Sequence, residues 1–367
     1  MTNFMQRLLS LDVFRGFIMV LLMMESSRLY DHLLSILPAD SFLHTFFTQF
    51  THHPWNGLRF WDLIQPGFMF IAGTAMALSL EGQRKLGVSW INQFKKILRR
   101  SAWLFFWGVL DYAVRDHGLS FELWDVLTQL SFTTLIAFLI FNWRLQNQLI
   151  FSLLLLVLTE ILYRFTQVPG FDQPFTDQHN FGNFMDLVLM NKINSGGWVA
   201  INCIPTAAHT IWGAVAGKLL LSESPTNQKI KSILVGGIAF LVSGFLMDWL
   251  QITPIIKRIA TSSFTLASGG WCLLFLAAAF YFIDVREKKS GWEFFTIVGM
   301  NSLFIYLFFE IIGNRWFTEY VTTIVIGLLA IPSIPENLSL IMSSVVIFAL
   351  EWKLCQFLYR RNIFFKV

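Results

Sequence analysis

Apolar residues in this chain gather into runs of about twenty, separated by short stretches that hold most of the charge. At 1.5 Å per residue, a helix of that length crosses roughly 30 Å of hydrocarbon. The pattern predicts ten such helices, at about 10–27, 62–81, 97–114, 121–142, 147–164, 198–221, 230–250, 261–284, 293–312 and 338–359. The apolar stretch from Tyr320 to Pro332 is short and runs into Pro332, Pro335 and a polar turn, so it reads as re-entrant or interfacial. The expected fold class is an all-α polytopic membrane protein. With no internal repeat, low-complexity run or linker, residues 1–367 read as one transmembrane domain.

Composition strengthens this reading. The chain is 55% hydrophobic and 14% charged, against roughly 25% charged in an average soluble domain, too little to make a water-facing surface. The formal charge of +4 reflects lysine and arginine retained on the cytoplasmic side and requires no nucleic-acid partner. If the N-terminus is cytoplasmic, most of the 27 cations fall on inner loops and ends, among them Arg84, Lys85, Lys95, Lys96, Arg99, Arg100, Arg144, Arg286, Arg360 and Arg361. Both termini are therefore expected in the cytoplasm. Asp12 and Arg15 interrupt the first apolar run and no small-residue cleavage site follows, so the first helix is expected to stay. Cys203, Cys272 and Cys355 stand apart without CxxC spacing and read as core residues.

Six histidines (His32, His44, His52, His53, His117 and His179) fall in loops expected outside, and His209 falls inside the sixth span. The densest constellation is His52-His53-Pro54-Trp55-Asn56-Gly57, followed by Asp62-Leu63-Ile64-Gln65-Pro66-Gly67 at the start of the second helix. It places an imidazole, an amide and a carboxylate at one mouth of a span. Asp62 is costly there unless paired or hydrated, which makes it a functional candidate. The plainer reading is interfacial anchoring by Trp55 and Trp61, with the histidines merely solvated. Asp12 and Arg15 are three apart and can pair on one helix face. Alternatively, Arg15 joins Lys95, Lys96, Arg99 and Arg100 to receive an anionic cytosolic ligand, for which the guanidinium fork suits phosphate. The sixth span combines a kink expected at Pro205, His209, and a Gly213/Gly217 pair that marks a packing face. His209 either lines a cavity or bonds a neighbouring helix. P-loop, GxGxxG, HExxH, metal-ligand and GxSxG patterns are absent, so no metal is expected.

The block from His52 to Gly73 resembles the heparan-α-glucosaminide N-acetyltransferase family, including its short bacterial-type members. That family's pattern runs H-x-x-W-x-G and then D-L-x-x-P-x-F-x-F-x-x-G. The likeness extends from Ser10-Leu11-Asp12-Val13-Phe14-Arg15-Gly16 through Thr261-Ser262-Ser263-Phe264, Gly270-Trp271 and Ile283-Asp284-Val285 to Gly299-Met300-Asn301-Ser302 and Leu358 to Phe364. The resemblance implies a transmembrane acetyltransferase that takes acetyl from cytosolic acetyl-CoA and delivers it to an amino-sugar acceptor, glucosamine-like, on the far side. A homodimer in a plasma membrane of bacterial inner-membrane type is the implied assembly. It implies His52 as the catalytic histidine, either accepting the acetyl group or acting as general base. Asp62 and Asn56 stand beside it as catalytic candidates, and Arg15, Arg99, Arg100, Asn301 and His209 as candidates for holding the acetyl-CoA. The chain departs from the family at Glu25-Ser26-Ser27, where an asparagine is usual, and at Ser195-Gly196-Gly197-Trp198, where an acidic turn is usual. Both departures lie on the expected acceptor side. The competing reading is a transporter or lipid-glycan handling protein whose helices break at Pro66 and Pro205.

Overall fold

The structure is a computed structural model that describes residues 8–113, 119–288 and 290–365; His117 lies outside these. Among the described residues it is all-helical, with α1 Leu9–Ser26, α2 Leu29–Ile36, α3 Phe42–Thr48, α4 Ile64–Lys85, α5 Trp90–Ala113, α6 Val126–Leu139, α7 Leu145–Phe165 and α8 Phe181–Met190 in the first half. There follow α9 Cys203–Leu221, α10 Thr226–Trp249, α11 Ser262–Ala279, α12 Glu293–Gly299, α13 Ser302–Leu307, α14 Thr318–Ala330 and α15 Glu336–Arg360. Among the described residues, five helical stretches are long and apolar enough to cross a membrane: Phe60–Lys85, Leu145–Phe165, Thr226–Trp249, Ser262–Val285 and Glu336–Arg360. The stretch Glu293–Gly299 with Ser302–Ala330 makes a sixth if its 71° bend is taken as one broken span.

The stretch 320–332 is not a separate segment. A π-helical stretch, Phe308–Phe317, joins α13 to α14, so one helix runs from Ser302 to Ala330. The run expected at 121–142 shortens because Asp125 caps α6, its Oδ1 accepting from Leu127 N at 2.7 Å. Neither proline breaks a helix. Pro66 and Pro205 are each the third residue of α4 and α9, where the missing N–H is one that the first turn leaves unpaired anyway.

The centre is α4 against α9. Gly73 faces the Thr210 carbonyl, and Gly213 faces that of Phe70. The backbones therefore touch where a Cβ would collide, as small-residue packing in membranes requires. Trp212 of α9 donates from Nε1 to Ser152 Oγ of α7 at 2.8 Å. The expected motifs around Gly16 and Gly299 meet each other, since Gly16 faces the Phe295 carbonyl and Gly299 that of Asp12. Asp284 then caps α1, accepting from Leu9 N at 3.0 Å and Ser10 N at 3.3 Å. By contrast, α7 exposes Ile150, Leu153, Leu154, Val157, Leu158 and Ile161, a helical stripe of spacing three and four that suits lipid contact.

The glycine contact makes a first expectation. Gly213→Val pushes side-chain atoms into a backbone carbonyl that moves only if α4 and α9 separate, costing about 3 kcal/mol or more. Gly236, whose Cβ would find only Leu273 Cδ1 at 3.9 Å, should accept alanine with little change. Thermal unfolding of both purified variants in detergent checks this; a wild-type midpoint for Gly213→Val would refute the close-packed interface.

Candidate functional site

His52 sits in the loop between α3 and the 3-10 turn Phe60–Leu63, which leads into α4. Three side chains define its position. Arg59 donates from Nη1 to the His52 carbonyl at 2.8 Å and to Thr51 Oγ1 at 2.7 Å. Asp62 Oδ2 accepts from Arg59 N at 2.9 Å and from His53 N at 3.4 Å, so this carboxylate closes the start of the turn by reaching back to the residue before it. Asp62 Oδ1 is left to face the imidazole, 3.3 Å from His52 Nδ1. The two roles open to Asp62, helix capping and imidazole partner, are served by different oxygens of one carboxylate.

The third partner comes from far along the chain. Lys257 lies between α10 and α11, is buried, and places Nζ 3.0 Å from His52 Nδ1 and 3.5 Å from Asp62 Oδ1. Its loop is held against the histidine loop by backbone pairing: Asn56 bridges Ile256, and Gly57 N donates to the Ile255 carbonyl at 2.8 Å. Asn56 thus serves the site through its main chain, while its side chain is exposed. Trp198 closes another side, with its ring centroid 5.6 Å from that of His52 and 5.2 Å from Lys257 Nζ.

His52, Lys257 and Trp198 line a cavity of about 250 Å³ together with Glu25, Gln65, Tyr112, Trp124, Asp125, Tyr306 and Glu310. Tyr306 donates to Asp125 Oδ2 at 2.7 Å. Trp124 is held from behind by Asp186, which accepts from its indole nitrogen at 3.0 Å and from Ala200 N at 2.8 Å. Burial raises the Asp186 carboxyl to about 7. Among the described residues, the cavity wall carries the carboxylates of Glu25, Asp125 and Glu310 against the single cation Lys257, which suits a positively charged guest.

Two loop groups have shifted protonation. The His52 side chain is 40% exposed; desolvation of its packed face, and next the neighbouring Lys257 cation, push the imidazole down to about 4. Burial pushes Lys257 down to about 8, with Asp62 and Glu25 opposing the shift. The imidazole is therefore neutral at pH 7, and its tautomer depends on the lysine. An ammonium at Lys257 donates to Nδ1 and leaves the hydrogen on Nε2. A neutral Lys257 lets Nδ1–H donate to Asp62, which frees the Nε2 lone pair.

The other expected site residues lie elsewhere. Arg15 pairs with Asp12 at 3.8 Å and is close enough to Arg100 for their charges to repel, whereas Arg99 is exposed. Arg15 precedes the cavity residue Glu25 by ten positions on α1, about 15 Å along the axis. Asn301 is occupied by the chain's end, donating to the Ile363 carbonyl at 3.0 Å and accepting from Phe365 N at 3.1 Å. His209 bonds a neighbouring helix, its Nε2 lying 2.9 Å from Ser268 Oγ and 3.1 Å from the Thr265 carbonyl of α11. Neither Asn301 nor His209 lines the cavity beside His52. Among the described residues no cluster of His, Cys, Asp and Glu could hold a metal.

Lys257 was not legible in the sequence. A lysine between two apolar runs looks like any other loop cation, and only the pairing of its loop with Asn56 and Gly57 brings it to the histidine. No protein-family model matches the chain, and no curated protein matches it.

Proposed function

We propose that the chain is a transmembrane acetyltransferase that moves acetyl from cytosolic acetyl-CoA to an amino-sugar acceptor on the other side of the membrane. The observation that carries this reading is His52 with its ring on a cavity walled by carboxylates. Nδ1 is engaged by Asp62 and Lys257, and with Lys257 neutral the remaining nitrogen is available to take a proton or an acyl group. Glu25, Asp125 and Glu310 attract an arriving ammonium, and one of these carboxylates takes its first proton to free the lone pair; as the amine's C–N bond forms, the imidazole takes the second proton, the thioester C–S bond breaks and CoA leaves as the thiolate. The reading is in keeping with ten spans and cytoplasmic termini, a topology in which Arg15 and Arg100 face the cytosol and take the CoA phosphates. The two departures from the family pattern, Glu25 and Trp198, both line the cavity, so acceptor choice is where this chain should differ from other members.

Binding of acetyl-CoA to the purified protein is the decisive test. A transferase binds it with an affinity that falls as salt rises, because phosphate contacts are screened, and then acetylates glucosamine. A transporter, the reading to which the 71° bend after Gly299 would lend itself, needs no thioester and should show neither behaviour.

The tautomer argument adds a pH expectation. Turnover at low acceptor concentration should rise with pH through about 8 as Lys257 loses its proton, because only then does Nε2 present a lone pair. Lys257→Met, which keeps an apolar stem, should remove that step and leave any step belonging to the acceptor amine itself. Identical profiles for wild type and variant from pH 6 to 10 would exclude Lys257 from control of the tautomer.

A further inference from the structure

A second, larger groove lies on the other side of Ile64. Its volume is about 530 Å³, within the range of small-molecule sites. Phe14, Ile18 and Leu21 of α1, Phe245 of α10 and Leu274 of α11 make it apolar, and the loop before α4 sets Gln49 and Arg59 at one end. Ile64 lines both this groove and the cavity beside His52. From Phe14 to Leu21 the groove follows α1 for about 10 Å.

Arg59 gives the groove a polar end. Among the described residues only its Nη1 has protein partners, Thr51 Oγ1 and the His52 carbonyl, and no carboxylate pairs with its guanidinium. An unpaired guanidinium above an apolar channel is complementary to a molecule with a phosphate at one end and hydrocarbon at the other, since the fork geometry of arginine matches phosphate oxygens. A hydrocarbon guest alone would have no use for it.

We propose that this groove holds the hydrocarbon tail of a phosphate-headed lipid, with the phosphate on Arg59, and that this lipid carries the acceptor amine. The second half rests on the transferase reading. Because Arg59 is bonded to the His52 carbonyl, a headgroup attached to that phosphate emerges beside the histidine cavity. Anchoring turns a dilute soluble acceptor into one held in place.

The test uses the full chain in a non-ionic detergent without any acyl donor, and follows fluorescence quenching of Trp271, which lines the groove. The probes are hexadecyl phosphate, hexadecanol and inorganic phosphate. Wild-type protein should bind hexadecyl phosphate at least ten-fold more tightly than hexadecanol, and inorganic phosphate at equal concentration should not displace it. Arg59→Gln should bring the two lipids to parity. Leu274→Trp should weaken hexadecyl phosphate ten-fold or more by filling the channel. Equal binding of both lipids by the wild type would make the groove a generic lipid face and overturn the proposal. Displacement by inorganic phosphate would reduce it to an anion subsite and do the same. Lipid binding without acetyl transfer would sink only the transferase reading, whereas acetylation of glucosamine by a chain indifferent to the phosphate would sink only this one.

Discussion

His52→Ala should lower acetyl transfer to a glucosamine acceptor by roughly 10²- to 10⁴-fold, the usual contribution of a positioned proton acceptor. Acetyl-CoA binding should stay near wild type. The fold should tolerate the change because His52 lies in a loop and its removal leaves Lys257 and Asp62 still paired at 3.5 Å, so no buried charge is orphaned. His53→Ala is the control. Its contact with Asp62 is made by the backbone N–H at 3.4 Å, which alanine keeps, and its ring packs against Gly57. Turnover and acetyl-CoA binding measured on the same preparations check both. Wild-type turnover in both variants would remove this block from the chemistry.

Asp62→Asn should cost about two orders of magnitude or more in turnover, again with little change in donor binding. An amide oxygen can still accept from Arg59 N, so the turn before α4 survives. On the other side, the amide NH₂ would donate to His52 Nδ1 and hold the hydrogen on Nε2, the tautomer that cannot take a proton from the acceptor. The substitution therefore separates the two oxygens' roles. Near wild-type turnover would leave Asp62 as a capping residue alone. Adding Lys257→Met to it should abolish the pH step without restoring turnover, because the amide still holds the same nitrogen.

Much of the architecture was legible because lipid is a simple solvent. The apolar runs near 62–81, 147–164, 230–250 and 338–359 had to be helices of spanning length, and each corresponds to a long apolar helix. The pairing of Asp12 with Arg15 followed from helix spacing alone. Gly213 and Gly217 announced a packing face and occupy one, against α4. Local rules failed at the ends and bends. Pro66 and Pro205 looked like breaks, yet a proline in the first turn disturbs nothing. The stretch 320–332 looked too short to be part of a long helix because the π-helical stretch that joins it to α13 has no distinctive composition.

The candidate site divides in the same way. His52 and Asp62 are ten residues apart, close enough for sequence to suggest a shared mouth of one span, and they meet at 3.3 Å. Glu25, Asp125, Trp198, Lys257 and Tyr306 come from widely separated elements and share a wall only because the helices pack as they do. Asn301 and His209 show the converse, since a polar residue in an apolar run has the same appearance whether it meets a ligand or satisfies a neighbouring backbone. Hydrophobic periodicity and helix length are properties of a segment and its solvent, so the sequence by itself determined that this is a bundle of long apolar helices with a histidine and a carboxylate at one mouth. Which cation reaches that histidine, which carboxylates face it and which groove adjoins it depend on distances between segments, and those were decided only when the glycine contacts of α4, α9, α1 and α12 brought the helices to their closest approach.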